Sequence, residues 1–271
     1  METVDFDYVR DLVRKRSAIV LENEKSYLVE SRLQPLARRE GFASINELVT
    51  KLRVTGFDGL HSRVVEAMTT NETLFFRDLQ PFEALRKVIL PELIEKRMSA
   101  RQLRIWCAAC STGQEPYSIA MTIKEHFPQL ATWDVKILAT DLSTQVLEKA
   151  RSGSFNQIEI NRGLPAPFIV KYFDRQGMNW QLKEPVRQMI EFQPLNLIEA
   201  WPPMSSMDIV FIRNVLIYFE VQTKKEILKK VRRLLRPDGV LFLGGAESTF
   251  NLDDSFARTE IEKTSVYRPQ S

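Results

Sequence analysis

The stretch Arg104-Ile105-Trp106-Cys107-Ala108-Ala109-Cys110-Ser111-Thr112-Gly113-Gln114-Glu115 runs from an apolar strand candidate through small residues and one glycine into a helix start. In open α/β sheets the carboxyl ends of the strands form the ligand crevice. Small residues there let a ligand approach the main chain. Only Gly113 is present, so this is not the three-glycine dinucleotide fingerprint, and an ordinary tight strand-to-helix turn is the competing reading.

Downstream, apolar runs alternate with helices. The pattern predicts a helix over Glu115–Phe127, a strand over Val135–Thr140 and a helix over Thr144–Arg151. It predicts strands over Asp208–Arg213 and Val240–Gly244, a helix over Thr223–Leu235 between them, and a last edge strand over Ser265–Arg268. Such alternation indicates a parallel α/β sheet. Residues 153–192 break the rhythm. Short segments at Tyr172-Phe173, Asn179–Leu182 and Val186–Phe192, with turn signals at Gly177 and Pro185, read as an inserted helix plus a small antiparallel hairpin. Upstream, a helix opens near Pro81 and Pro91 interrupts it or starts the next. From Asp5 to Arg77 the spacing is helical, with Gly41 as a stop and Ser44 as a cap.

Composition narrows the chemistry. In 271 residues, Lys+Arg 38 against Asp+Glu 35 leaves a net charge of only +3, so bulk attraction to nucleic acid or anionic membrane is not expected. Two cysteines exclude a disulfide-dense scaffold, and two histidines, His61 and His126, leave little for metal sites or imidazole catalysis. No targeting segment is read near the amino terminus, and a cytoplasmic protein is expected.

Three further features bear on a site. Asp141 ends the second predicted strand, where a carboxylate can accept hydrogen bonds from ribose hydroxyls; a helix cap is the alternative. Arg213 and Asn214 stand within an apolar run and need partners, with Tyr218 just beyond. Thr69-Thr70-Asn71-Glu72-Thr73-Leu74-Phe75-Phe76-Arg77-Asp78 is too aromatic for a plain linker. The pair Cys107 and Cys110 suggests a thioredoxin-like dithiol, but the helix start after Gly113 leaves Cys107 on a buried strand, which favours two core residues.

Together, Thr69–Arg77, Trp106–Ser118, Ala139–Ser143 and Arg213–Phe219 resemble the CheR family of chemoreceptor glutamate methyltransferases, in the expected order across most of the chain. The resemblance implies an α/β fold: a Rossmann-like class I S-adenosylmethionine-dependent methyltransferase sheet with an inserted small antiparallel β-subdomain and an all-α amino-terminal domain. It implies a helical receptor-recognition domain over 1–68, a linker over 69–80 that contributes to the cofactor site, and a catalytic domain over 81–271 with the insert at about 153–192. The cofactor would be S-adenosylmethionine, released as S-adenosylhomocysteine. Carried over by position, Asn71, Thr73, Arg77, Glu115, Asp141, Asn196, Leu197, Arg213 and Asn214 would bind it, and Arg77 and Tyr218 would sit near the transferred methyl. Gln114 departs from the acidic residue many members have.

The implied reaction esterifies glutamate side chains on the cytoplasmic helices of a methyl-accepting receptor. A glutamate of pKa about 4.3 arrives ionised, so no general base is needed, which suits a chain poor in histidine. Arg32, Arg38 and Arg39 could face the acidic receptor helices, or simply form a solvated face beside Glu30 and Glu40. A receptor's carboxyl-terminal tail could dock on the β-subdomain by strand addition. No nucleic acid, metal or membrane insertion is expected, and the protein is expected to be a monomer. A non-catalytic module that senses the cofactor and scaffolds a signalling complex is the alternative function.

Overall fold

A computed structural model describes residues 1–270. The chain forms two compact units, one of Met1–Thr70 with Tyr218–Thr223, the other of Asn71–Ile217 with the chain from Lys224 onward.

The first unit packs α1 (Thr3–Ser17), α2 (Ser26–Arg39), α3 (Ile45–Val54) and α4 (Gly59–Ala67). Local chemistry sets the helix ends. Ala18 closes α1 in the left-handed region, the Ser44 side chain accepts the Glu47 N–H, and Asp58 with His61 forms a capping box on α4. Val9, Val13, Val29, Leu33, Leu48, Val49 and Val64 are fully buried at helical spacing. Each contributes about 1.5–3 kcal/mol by burial, and truncating Leu48 to Ala would cost about 2–5 kcal/mol.

The second unit opens with α5 (Gln80–Ala84), a π turn over Leu85–Ile89 and α6 (Leu90–Lys96) in one run. Pro91 has no N–H to give, and the widened turn lies just before it, with Leu90 N–H reaching back to Leu85 O. Then come β1 (Gln102–Ala108), α7 (Gln114–His126), β2 (Asp134–Asp141) and α8 (Thr144–Ser152). The insert follows as β3 (Ser154–Asn156), α9 (Gln157–Asn161), α10 (Ala166–Tyr172), β4 (Phe173–Gln176), β5 (Asn179–Leu182) and α11 (Glu184–Arg187). The chain then returns through β6 (Ile190–Pro194), β7 (Met207–Ile212), α12 (Val221–Leu234), β8 (Leu235–Leu243), β9 (Phe256–Ile261) and β10 (Thr264–Pro269).

The main sheet has seven strands in the order β6-β2-β1-β7-β8-β10-β9, and β3-β5-β4 form a separate antiparallel sheet. Strands β6, β2, β1, β7 and β8 run parallel, and β10 is antiparallel to both its neighbours. From β1 the order runs to β2 on one side and to β7 on the other. That makes the carboxyl ends of β1 and β7 the topological switch point.

Two expectations need correction. Ile190–Phe192 does not belong to the small hairpin: Ile190 pairs with Ile137 and Phe192 with Ala139, making β6 an edge of the main sheet. Ser265–Arg268 does not lie in an edge strand, because β9 covers it, with Val266 opposite Thr259. The charged, largely exposed sequence of β9 hides its strand character.

Candidate active site

The turn from β1 to α7 is unusually contorted. Ala109, Ser111 and Gly113 have φ values of 53°, 50° and 92°. Left-handed alanine and serine are strained and need compensation. Compensation comes from β2: the Ser111 N–H donates to Asp141 Oδ2 at 2.8 Å, and the Cys110 N–H to Thr140 O at 2.9 Å. At Gly113 a Cβ would lie 3.0 Å from the Ala150 Cβ, so α7 can start here only with glycine.

Asp141 is buried at the tip of β2, and its other oxygen accepts the Ser143 N–H at 3.0 Å. The cap of α8 is Ser143, whose hydroxyl accepts the Val146 N–H. Asp141 therefore braces two loops instead of capping the helix. Its carbonyl accepts the Leu195 N–H at 2.9 Å, which lays the segment after β6 alongside. There Asn196 Nδ2 donates to Glu199 Oε1 at 3.1 Å, and Leu197 is buried. The turn is held from behind by Lys230, whose Nζ donates to the carbonyls of Leu197 at 2.8 Å and Glu199 at 2.7 Å. Trp201 donates to Leu197 O and packs edge-on against Trp106, whose indole donates to Thr140.

Arg213 follows β7 with its side chain only 2% exposed. Its guanidinium donates to Glu115 Oε2 at 2.8 Å, to Asp78 Oδ2 at 2.7 Å and to the Arg77 carbonyl at 3.0 Å. Burial pushes the Glu115 carboxyl up, and the Arg213 charge pulls against it. Arg77 turns its Nη1 to Glu72 O at 3.1 Å. The Asn71 carbonyl accepts the Ser111 hydroxyl at 2.7 Å, and Thr73 is half-buried. Arg77, Asp78, Glu115 and Arg213 thus form one network around the start of α7, and Asn71 is tied to the same turn through Ser111.

Phe75 anchors the same linker on the other side. It is fully buried and meets Phe155 and Phe173 of the small sheet edge-on, at 5.0 and 5.8 Å between ring centres. This accounts for its aromatic composition.

Asn214 follows Arg213 in the second unit, whereas Tyr218, Arg32, Arg38 and Arg39 lie in the first. Tyr218 is half-buried, and its carbonyl accepts the Val20 N–H at 3.2 Å. Arg32 is half-buried and donates to Met68 O at 2.6 Å and Thr70 Oγ1 at 3.1 Å. Burial lowers its pKa, opposed by Tyr218. Arg32 is thus engaged within its own unit, whereas Arg38 and Arg39 are exposed.

Sequence reasoning missed Asp78, Trp201, Lys230 and Glu247. The carboxylate of Glu247 takes main-chain N–H bonds from the loops after β7 and β8. Its only signal is its place shortly after Gly244-Gly245 at a strand end.

The description "CheR methyltransferase, SAM binding domain" matches residues 71–265, and "CheR methyltransferase, all-alpha domain" matches residues 4–69. Chemotaxis protein methyltransferase 1 of Pseudomonas aeruginosa is 43% identical over 269 residues, covering 97% of each chain. The chain belongs to the CheR family. Two further CheR relatives are the chemotaxis protein methyltransferase Cher2 of Pseudomonas putida, 41% identical over 98% of each chain, and the chemotaxis protein methyltransferase of Vibrio parahaemolyticus, 38% identical over 98% of each.

The network suits the S-adenosylmethionine that a CheR catalytic domain takes. The cofactor presents a ribose diol, a carboxylate and two positive charges. The residues around the switch point include carboxylates at Asp141 and Glu115, a type that suits a diol or a cation, and a guanidinium at Arg77, a type that suits a carboxylate. The buried Arg213 Nε has no partner among the described residues, the kind of donor that a polar ligand atom satisfies. The CheR departure at Gln114 is a buried amide accepting the Thr112 hydroxyl at 2.8 Å, so the turn is closed without a charge there. Cys107 and Cys110 are free thiols, 0% and 2% exposed, and burial pushes both well above their ordinary pKa. No helix among the described residues is long and apolar enough to cross a membrane.

Proposed function

We propose that this protein methylates glutamate side chains on the cytoplasmic helices of a chemoreceptor, using S-adenosylmethionine and releasing S-adenosylhomocysteine. The observation that carries the reading is the brace at the switch point, Asp141 bonded to the Ser111 and Ser143 amides beside the buried Arg213–Glu115 pair. A carboxylate at a strand tip is the group type that accepts ribose hydroxyls, and Asp141 takes that role. Asn196 and Leu197 flank the nucleoside, Glu115 faces the cationic end, and Asn71, Thr73, Arg213 and Asn214 close the pocket.

When bound, the cofactor supplies a methyl on a positively charged sulfur, and the sulfur keeps the bonding electrons as the acceptor oxygen gains the carbon. The acceptor carboxylate is already ionised. The chain's task is therefore to strip water from that anion and aim it. Arg77 supplies a donor for this. Arg38 and Arg39 meet acidic receptor residues, and Arg32 supports them from within the helical unit. The three-stranded sheet leaves β4 as an edge, which suits addition of a receptor tail as a further strand.

The test is methyl transfer from labelled S-adenosylmethionine to a purified receptor cytoplasmic fragment. Label released by mild alkali as methanol supports a glutamyl ester. Alkali-stable label contradicts it.

A further inference from the structure

Glu247 has an uncommon set of partners. Its Oε2 accepts the N–H of Asn214 at 2.8 Å and of Gly244 at 2.7 Å. Its Oε1 accepts the N–H of Val215 at 2.9 Å and of Ile217 at 3.2 Å. Three of these amides come from the loop that follows Arg213. One side chain on the loop after β8 thereby fixes the loop after β7.

The held loop is strained. Asn214 has φ 59°, a left-handed conformation that a non-glycine residue keeps only when its surroundings enforce it. Gly244 completes the enforcement. A Cβ on it would lie 2.5 Å from Asn214 Oδ1, 2.7 Å from Glu247 Oε2 and 2.8 Å from the Asn214 nitrogen. The Asn214 side chain thus lies against the bare backbone of Gly244, with Glu247 beneath it. Converging amides form an anion-binding concavity, and an internal carboxylate fills this one. Without it, the amides would lose their acceptors and the loop its reason to stay left-handed.

We propose that Glu247 is a positioning residue for the methyl transfer, acting through Asn214 by clamping the main chain of residues 214–217. The proposal rests on the function proposed above. It assigns Glu247 no contact with cofactor or acceptor. Its effect is to hold the Asn214 amide in the pocket and to keep the nest closed to the acceptor's own carboxylate.

The test compares wild-type protein with Glu247→Gln, Asn214→Ala and the double variant. Glu247→Gln is isosteric but turns one acceptor oxygen into a donor that faces N–H groups. Amide hydrogen exchange should quicken in residues 214–217 and stay unchanged in β7. The kcat should fall about tenfold or more, while affinity for S-adenosylhomocysteine falls less. Asn214→Ala should lower kcat alone but add little in the Glu247→Gln background, because both act through one element. Glu247→Asp, which keeps both acceptors on a shorter arm, should recover part of kcat and serves if the Gln variant does not fold. Unchanged exchange at 214–217, unchanged kcat, or full additivity with Asn214→Ala would overturn the proposal. A wild-type protein whose loop depends on Glu247 but which transfers no methyl sinks the function and leaves the clamp standing.

Discussion

Arg213 Nη1 donates to Glu115 Oε2 at 2.8 Å, joining the end of β7 to the first turn of α7 across the switch point of the sheet. The pair is unequal. Arg213 also has Asp78 and the Arg77 carbonyl, whereas Glu115 has Arg213 as its one salt-bridge partner among the described residues. Arg213→Met should therefore cost about 3–5 kcal/mol by leaving a buried carboxylate uncompensated. Glu115→Gln should cost much less. Denaturant unfolding of the two variants checks the asymmetry, and equal losses would contradict it.

Asp141→Asn keeps the shape but sets an amide group against the Ser111 or Ser143 N–H. We expect the dissociation constant for S-adenosylhomocysteine to rise about tenfold to a hundredfold, measured by calorimetry. Asp141→Ala should also loosen the left-handed turn at Ala109 and Ser111, visible as faster proteolysis near residue 111.

Cys107→Ala with Cys110→Ala should leave activity largely intact. Burial raises both thiol pKa values, so neither supplies thiolate at neutral or mildly alkaline pH. Raising the pH from about 7 to 9 should barely speed labelling of the native protein by a thiol reagent. Rapid labelling of folded protein would contradict the core role.

Gly163 has φ 85°, and a Cβ there would run into the carbonyl of Phe75. Gly163→Ala should displace the linker that carries Asn71, Thr73 and Arg77. The expected result is weaker S-adenosylhomocysteine binding as well as a lower Tm. A lower Tm with unchanged binding would separate the linker's anchor from the cofactor site.

Much of this was legible in the sequence, for physical reasons. β1, β2, β7 and β8 are short apolar runs bounded by polar turns, so their period and length announce a buried parallel sheet. Asp141 and Arg213 stood out as charges at the ends of such runs, where only a partner or a ligand keeps them. Long-range pairing was not legible. Nothing local in Ile190–Phe192 says that it lies beside β2, and β9 carries no apolar run to mark it because an outer strand can stay wet. Nor can sequence show that Glu247 collects amides from two loops, or that Arg32 bonds to Met68 and Thr70. Those contacts exist only once the elements are packed.

Transfer of the methyl to glutamate defines the activity proposed for this chain. The direct measurement is alkali-labile methyl incorporation into a receptor cytoplasmic fragment, with the modified residues located by mass spectrometry. Specific glutamates should gain the mass of one methyl ester, a gain abolished when those residues are changed to alanine and strongly reduced by Asp141→Ala. Tight binding of S-adenosylhomocysteine with no ester on any glutamate of a cognate receptor would contradict it.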